Sequence, residues 1–72
     1  MKNVETIKDF YGRIVGKIET DHYGNKVVRD FYGRILGKYD KRLNVTRDFH
    51  GKIVARGDQV GLLFSLTSKV NS

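Results

Sequence analysis

The chain has no cysteine, only two histidines, few acidic residues and no long apolar run. Without cysteine no disulfide can staple it, and with His22 and His50 as the only imidazoles a structural zinc site is not expected. The missing cysteine fits a reducing compartment. With no apolar run of about 18 residues and no charged-then-apolar opening of a signal peptide, the expectation is a soluble, cytoplasmic protein with no membrane span. The shortage of acids leaves 14 Lys and Arg against 8 Asp and Glu, a net charge of +6. Such a surplus raises affinity for any polyanion and also serves to keep a small protein dispersed. At 72 residues the chain makes one domain at most. Chains below about 80 residues seldom bury enough core to be stable alone, so support from a partner chain is expected.

What the chain does contain is one phrase spoken three times. Asp9-Phe10-Tyr11-Gly12-Arg13-Ile14-Val15-Gly16-Lys17 returns as Asp30-Phe31-Tyr32-Gly33-Arg34-Ile35-Leu36-Gly37-Lys38 and again as Asp48-Phe49-His50-Gly51-Lys52-Ile53-Val54-Ala55-Arg56. A period of about 20 residues suits two short strands and two turns, a unit that must lean on its neighbours to bury anything. The repeats run over about 3–24, 25–43 and 44–66, within one domain of residues 1–72 that ends in a loose tail over 67–72.

The fragment Asp-x-x-Gly occurs at Asp9, Asp21, Asp30 and Asp48. In each, the Asp side chain can accept a backbone N–H two residues on, and Gly takes the left-handed conformation that closes a type I turn with a bulge. In the turn from Asp40 to Asn44, Asn replaces Gly as the next best residue for positive φ, and Gly57-Asp58 offers another reversal. These turns separate short strands at Val4–Lys8, Arg13–Thr20, Asn25–Arg29, Arg34–Tyr39, Asn44–Arg47 and Lys52–Arg56. Sequential hairpins with no helical crossover predict an all-β antiparallel meander of six to seven strands. The segment after Asp58 is either a short helix with Val60, Leu63 and Phe64 on its apolar side, or a seventh strand, Val60–Leu66. The run of preceding strands favours the strand.

Alternation along a strand divides the repeat. Ile14, Gly16 and Ile18 share one face with Ile35, Gly37, Tyr39, Ile53 and Ala55; the small residues there let another layer approach, and Leu62, Leu63, Phe64 and Leu66 are the candidates to fill it, from this chain or a partner. The opposite face carries Arg13, Lys17, Arg34, Lys38, Lys52 and Arg56 around Val15, Leu36 and Val54. The favoured reading of that face is a solvated surface whose cationic stems shelter the aliphatic stripe; the alternative is a polyanion site. Phe10, Phe31 and Phe49 are expected to fold over the sheet end as core, leaving Tyr11, Tyr32 and His50 half exposed, while Lys8, Arg29 and Arg47 balance the charge of the neighbouring Asp residues.

Catalysis needs convergent groups with distinct roles, whereas these carboxylates fall one per turn, so no enzyme activity and no cofactor are expected. The same low density speaks against a calcium solenoid. Arg56-Gly57-Asp58 spells an integrin-ligand tripeptide and Asn44-Val45-Thr46 a glycosylation triplet, both too short to carry weight without a secretory signal. The tandem Asp-aromatic-Tyr-Gly-Arg-Ile units, with Tyr23-Gly24-Asn25 and Tyr32-Gly33-Arg34, resemble the YD-repeat class over most of residues 9–58. That resemblance implies β-sheet shells that enclose or present other domains, a structural role; this chain has three units and an apolar tail.

Two function classes follow. The favoured one is a non-enzymatic structural or protein-interaction module, a homo-oligomer with a dimer preferred, self-associating through Ile14, Ile35, Ile53, Leu62, Leu63, Phe64 and Leu66. The other is a nucleic-acid or polyanion binder acting through Arg13, Lys17, Arg34, Lys38, Lys52 and Arg56.

Overall fold

A computed structural model describes residues 3–64. Six strands follow in chain order: β1 (Asn3–Lys8), β2 (Ile14–Thr20), β3 (Lys26–Asp30), β4 (Ile35–Asp40), β5 (Val45–Asp48) and β6 (Ile53–Arg56). Each pairs antiparallel with the next, so the sheet order repeats the chain order and the expected all-β meander is what forms. Every bound of these six strands lies within one residue of the expected position.

The turns explain that accuracy. At Asp9 the backbone N–H donates to the Arg13 carbonyl (2.8 Å) and the Gly12 N–H returns to the Asp9 carbonyl (3.0 Å), and the same pair recurs from Asp21, Asp30 and Asp48. The carboxylate Oδ1 of Asp9 accepts the N–H groups of Tyr11 and Arg13, both at 2.9 Å. Gly12, Gly24, Gly33 and Gly51 all hold φ between 81° and 92°, and Asn44 substitutes at φ 55°. A side chain that satisfies two turn N–H groups and a residue that tolerates positive φ together fix where each strand stops.

The alternation within the strands is less simple. Ile7 pairs with Gly16 but Lys8 pairs with Ile14, leaving Val15 as an extra residue; Leu36 and Val54 occupy the same place in the next two hairpins. A β-bulge reverses the inside-outside count for everything on its turn side. Ile14, Ile35 and Ile53 therefore pair with Lys8, Arg29 and Arg47, and the expectation that they share a face with Gly16, Ile18, Gly37 and Tyr39 is corrected. A bulge directs two consecutive side chains to one side, and a small residue in the second place relieves their crowding. Gly16, Gly37 and Ala55 stand there, while Leu36 and Val54 pack against the core.

The closed face gathers Ile18, Val28 and Tyr39 from the sheet with Val60 and Leu63 from the end of the described chain. Residues 61–64 form one helical turn, so of the two forms expected for this segment the short helix is found in place of the favoured seventh strand; Leu66 and the tail over 67–72 lie outside the described residues. A strand would point Leu63 away from Val60, whereas the helical turn brings Leu63 onto Gly37 and Phe64 onto Gly16. Thr46, fully buried, ties this segment down: its hydroxyl donates to the Gly57 carbonyl (2.8 Å) and accepts the Gln59 N–H (3.0 Å). Lys26 adds an ion pair to Asp58, and the Tyr39 hydroxyl donates to Asn44 Oδ1 at 2.6 Å.

Candidate polyanion interface

In a meander successive turns alternate between the two ends of the sheet, so the turns after β1, β3 and β5 all lie at one end. These are the three Asp-Phe-(Tyr/His)-Gly turns, set about 10 Å apart because two strand spacings separate them. Their rings project into solvent. Phe10 is 97% exposed, Phe31 64% and Phe49 67%, so the expectation that these phenylalanines act as core is overturned. The central positions of a type I turn stand beyond the last strand pair, and the apolar segment that closes the core sits over Gly16 and Gly37. Among the described residues the rings have no layer to fold onto.

They pair with each other instead. Phe10 meets Tyr11 edge to face at 5.5 Å between centroids, Phe31 meets Tyr32 likewise at 5.3 Å, and Phe49 and His50 lie tilted at 3.9 Å. The Arg13 guanidinium binds Asp9 Oδ2 (3.1 Å) and lies 5.2 Å from the Tyr11 ring centre; Arg34 does the same with Asp30 (2.9 Å) and Tyr32 (5.1 Å). Arg13 and Arg34 are thus placed by their own turns, away from Lys17 and Lys38. Backbone N–H donation from Arg13 leads the effects that hold the Asp9 carboxyl below the usual carboxylate range, helped by the Tyr11 N–H and the Arg13 charge. At Asp30 burial pushes upward, yet the N–H and guanidinium of Arg34 and the N–H of Tyr32 outweigh it and the carboxyl is again lowered. Asp21, at the other end, is lowered in the same way by the Asn25 and Tyr23 N–H groups against burial.

Register places Lys8, Lys17, Arg29, Lys38, Arg47 and Arg56 on the face away from the helical turn, with Ile14, Ile35 and Ile53 among them. Glu19 and Asp40 are the acids that strand register places there, Glu19 binding Arg29 at 2.9 Å, and Asp30 and Asp48 border it at the turn end. Of the expected cations, Lys17, Lys38 and Arg56 are here, while Arg13, Arg34 and Lys52 belong to the turns. Lys8, Arg29 and Arg47 were missed as members of this face. Adjacency in a strand means opposite faces, so a residue beside Asp30 or Asp48 cannot simply neutralise it, and that was the available signal. Arg29 and Arg47 instead donate to the Gly33 and Gly51 carbonyls at 3.0 and 2.9 Å.

Two shallow grooves lie between successive hairpins on this face. The first, about 380 Å³, is lined by Thr6, Ile14, Lys17, Asp30, Phe31 and Gly33, among others. The second, about 470 Å³, is lined by Ile35, Lys38, Arg47, Asp48, Phe49 and Gly51. The predicted self-interface is divided: Leu63 and Phe64 are engaged with the sheet of the same chain, Leu62 is 43% exposed, and Ile14, Ile35 and Ile53 are exposed on the other face. The Gly and Asp of Arg56-Gly57-Asp58 are held by Asn44 and Lys26, and Thr46 of the glycosylation triplet is buried. Among the described residues no three His, Asp or Glu side chains gather as metal ligands, and no helix is long and apolar enough to cross a membrane. No family model, curated protein or solved structure matches the chain.

Proposed function

We propose that the chain is a non-enzymatic polyanion-binding module that uses its open sheet face and the adjoining turn end. One observation carries this reading: six cations converge on the sheet face away from the helical turn of residues 61–64. The cationic stems and Ile14, Ile35 and Ile53 give a semi-apolar floor, so an extended anionic chain lying on it gains charge pairing without an acidic competitor at most positions.

Self-association is the competing reading, and the same face opposes it, because two copies meeting through Ile14, Ile35 and Ile53 would set cation against cation. Self-pairing through Leu62 and the outer side of the C-terminal segment is the form of it that avoids this cost.

Titration with inorganic polyphosphate tests the proposal. If about four phosphate contacts form, the single-strand salt slope makes affinity fall about fifty-fold from 50 to 200 mM salt. Lys17→Glu with Lys38→Glu weakens binding and leaves the melting temperature close to wild type, since both side chains are exposed. A salt-independent affinity, or a stable multiple of 8.3 kDa in light scattering with no polyphosphate binding, refutes the proposal in favour of self-association.

A further inference from the structure

Resting on the polyanion reading, we propose that the two grooves are corresponding subsites for unpaired bases, and that the ligand class is single-stranded nucleic acid. The grooves are built from the same positions of consecutive repeats: Ile14 and Ile35 as floor, Lys17 and Lys38 as cations, Phe31 and Phe49 as aromatic walls, Gly33 and Gly51 at the rim. Each offers a flat apolar body and an anion a place side by side, the two chemistries a nucleotide carries in one unit. Polyphosphate and acidic polysaccharides have no π-face and leave the exposed phenylalanines unused, and a duplex keeps its bases stacked inside. A single strand presents both, and every base stacks whatever its identity.

The carboxylates in the grooves stay charged but have cations beside them. Asp30 Oδ1 accepts the Tyr32 and Arg34 N–H groups and its Oδ2 the Arg34 guanidinium, and Asp48 Oδ1 accepts the His50 and Lys52 N–H groups. Asp30 is thus ion-paired with Arg34, and Lys38 and Arg47 line the groove that holds Asp48. The grooves sit one hairpin apart, about 10 Å, which is about three nucleotides at the stacked rise of 3.4 Å. One strand of about four to six nucleotides therefore reaches both.

The experiment measures binding of the full chain to an eight-residue oligothymidylate, to an abasic oligonucleotide of the same length and to inorganic polyphosphate, by fluorescence anisotropy at one fixed salt. The oligothymidylate is expected to bind about fivefold tighter per occupied groove than the abasic strand, the low end of what a stacked base contributes. Phe31→Ala and Phe49→Ala should each lower the oligothymidylate affinity by a factor of about that order and leave the abasic affinity unchanged; both rings are exposed, so the fold survives. A trinucleotide should lose the gain of the second groove. Equal affinity for all three ligands overturns the base subsites and leaves the polyanion reading standing, as does a preference for oligothymidylate that survives both substitutions. Failure of every polyanion to bind overturns both.

Discussion

Replacing Gly37 by Ala puts a methyl where the sheet and the helical turn meet. A Cβ built there lies 2.7 and 2.8 Å from Leu63 Cδ1 and Cδ2 and closer still to the carbonyl oxygen of Arg47. The Leu side chain can rotate, but the carbonyl is fixed in the pairing of β4 with β5, so part of the clash has no cheap relief. Overpacking of this kind costs ~1–3 kcal/mol, and the gain from a less flexible unfolded chain returns ~0.4–1 kcal/mol. The net expectation is a loss of about 1–2 kcal/mol. For 72 residues the whole stability is about 4–11 kcal/mol, so this one methyl removes a large share. Leu63→Ala alone, at a side chain 2% exposed, should cost about 2–4 kcal/mol. Two of the three nearest atoms belong to Leu63, so the double variant should be more stable than the sum of the singles by about 1 kcal/mol, the remainder being the clash with Arg47. Urea unfolding of wild type, both singles and the double closes the cycle. Additivity within about 0.5 kcal/mol would mean that Leu63 does not cover Gly37 in solution, and the intrachain closure of the sheet would fall with it.

Thr46→Val keeps the shape of a fully buried side chain but strands the Gly57 carbonyl and the Gln59 N–H; a loss of about 2–3 kcal/mol in urea is expected, and one below about 0.5 kcal/mol would contradict the bonding described. Gly33→Ala meets no neighbour within 4 Å but demands φ of +87°, so its cost is backbone strain of about 1–2 kcal/mol, a loss that Leu63→Ala does not relieve. Asp9, Asp21 and Asp30 have folded pKa values below the unfolded value of about 3.9. Their contribution is therefore full above about pH 4 and is lost as pH falls through the folded values, so the melting temperature should drop below about pH 4; a rise between pH 5 and pH 3 would reverse the sign and refute the turn assignment.

The turns were legible because each rests on two local requirements, an Asp that accepts its own turn N–H groups and a Gly with positive φ, and both are written within five residues. Strand bounds followed from them. The faces were not, because a bulge has no marker of its own: Val15, Leu36 and Val54 read as ordinary strand residues, and only the pairing reveals that each is extra. The helical turn was half legible. Leu62, Leu63, Phe64 and Leu66 mark an apolar segment in either conformation, and what decides between them is the position of the gaps over Gly16 and Gly37, a tertiary fact. The exposed phenylalanines were misread for a related reason. Burial is the usual fate of Phe, and seeing otherwise requires knowing that Leu63 and Phe64 pack over Gly37 and Gly16 and not over the turns.

The departures of the third repeat follow from the same geometry. Two large side chains close the sheet, Phe64 over Gly16 and Leu63 over Gly37, and each needs a gap from which a Cβ has been removed. The equivalent position in β6 is Ala55, half-buried at the sheet edge, where the methyl is kept and spares the chain entropy that a glycine would add. At the turn, His50 and Lys52 replace the tyrosine and arginine of the first two units, and the guanidinium stacked on a phenol gives way to an imidazole against Phe49. The second groove is lined by Arg47, which pairs across from Lys38, whereas Arg29, its counterpart across from Lys17, is bound to Glu19 and does not line the first groove. If the grooves hold bases, the second should be the tighter of the two, and Phe49→Ala should cost more affinity than Phe31→Ala at low salt. The reverse order would assign the leading role to the Arg34 and Tyr32 pair at the first groove's rim.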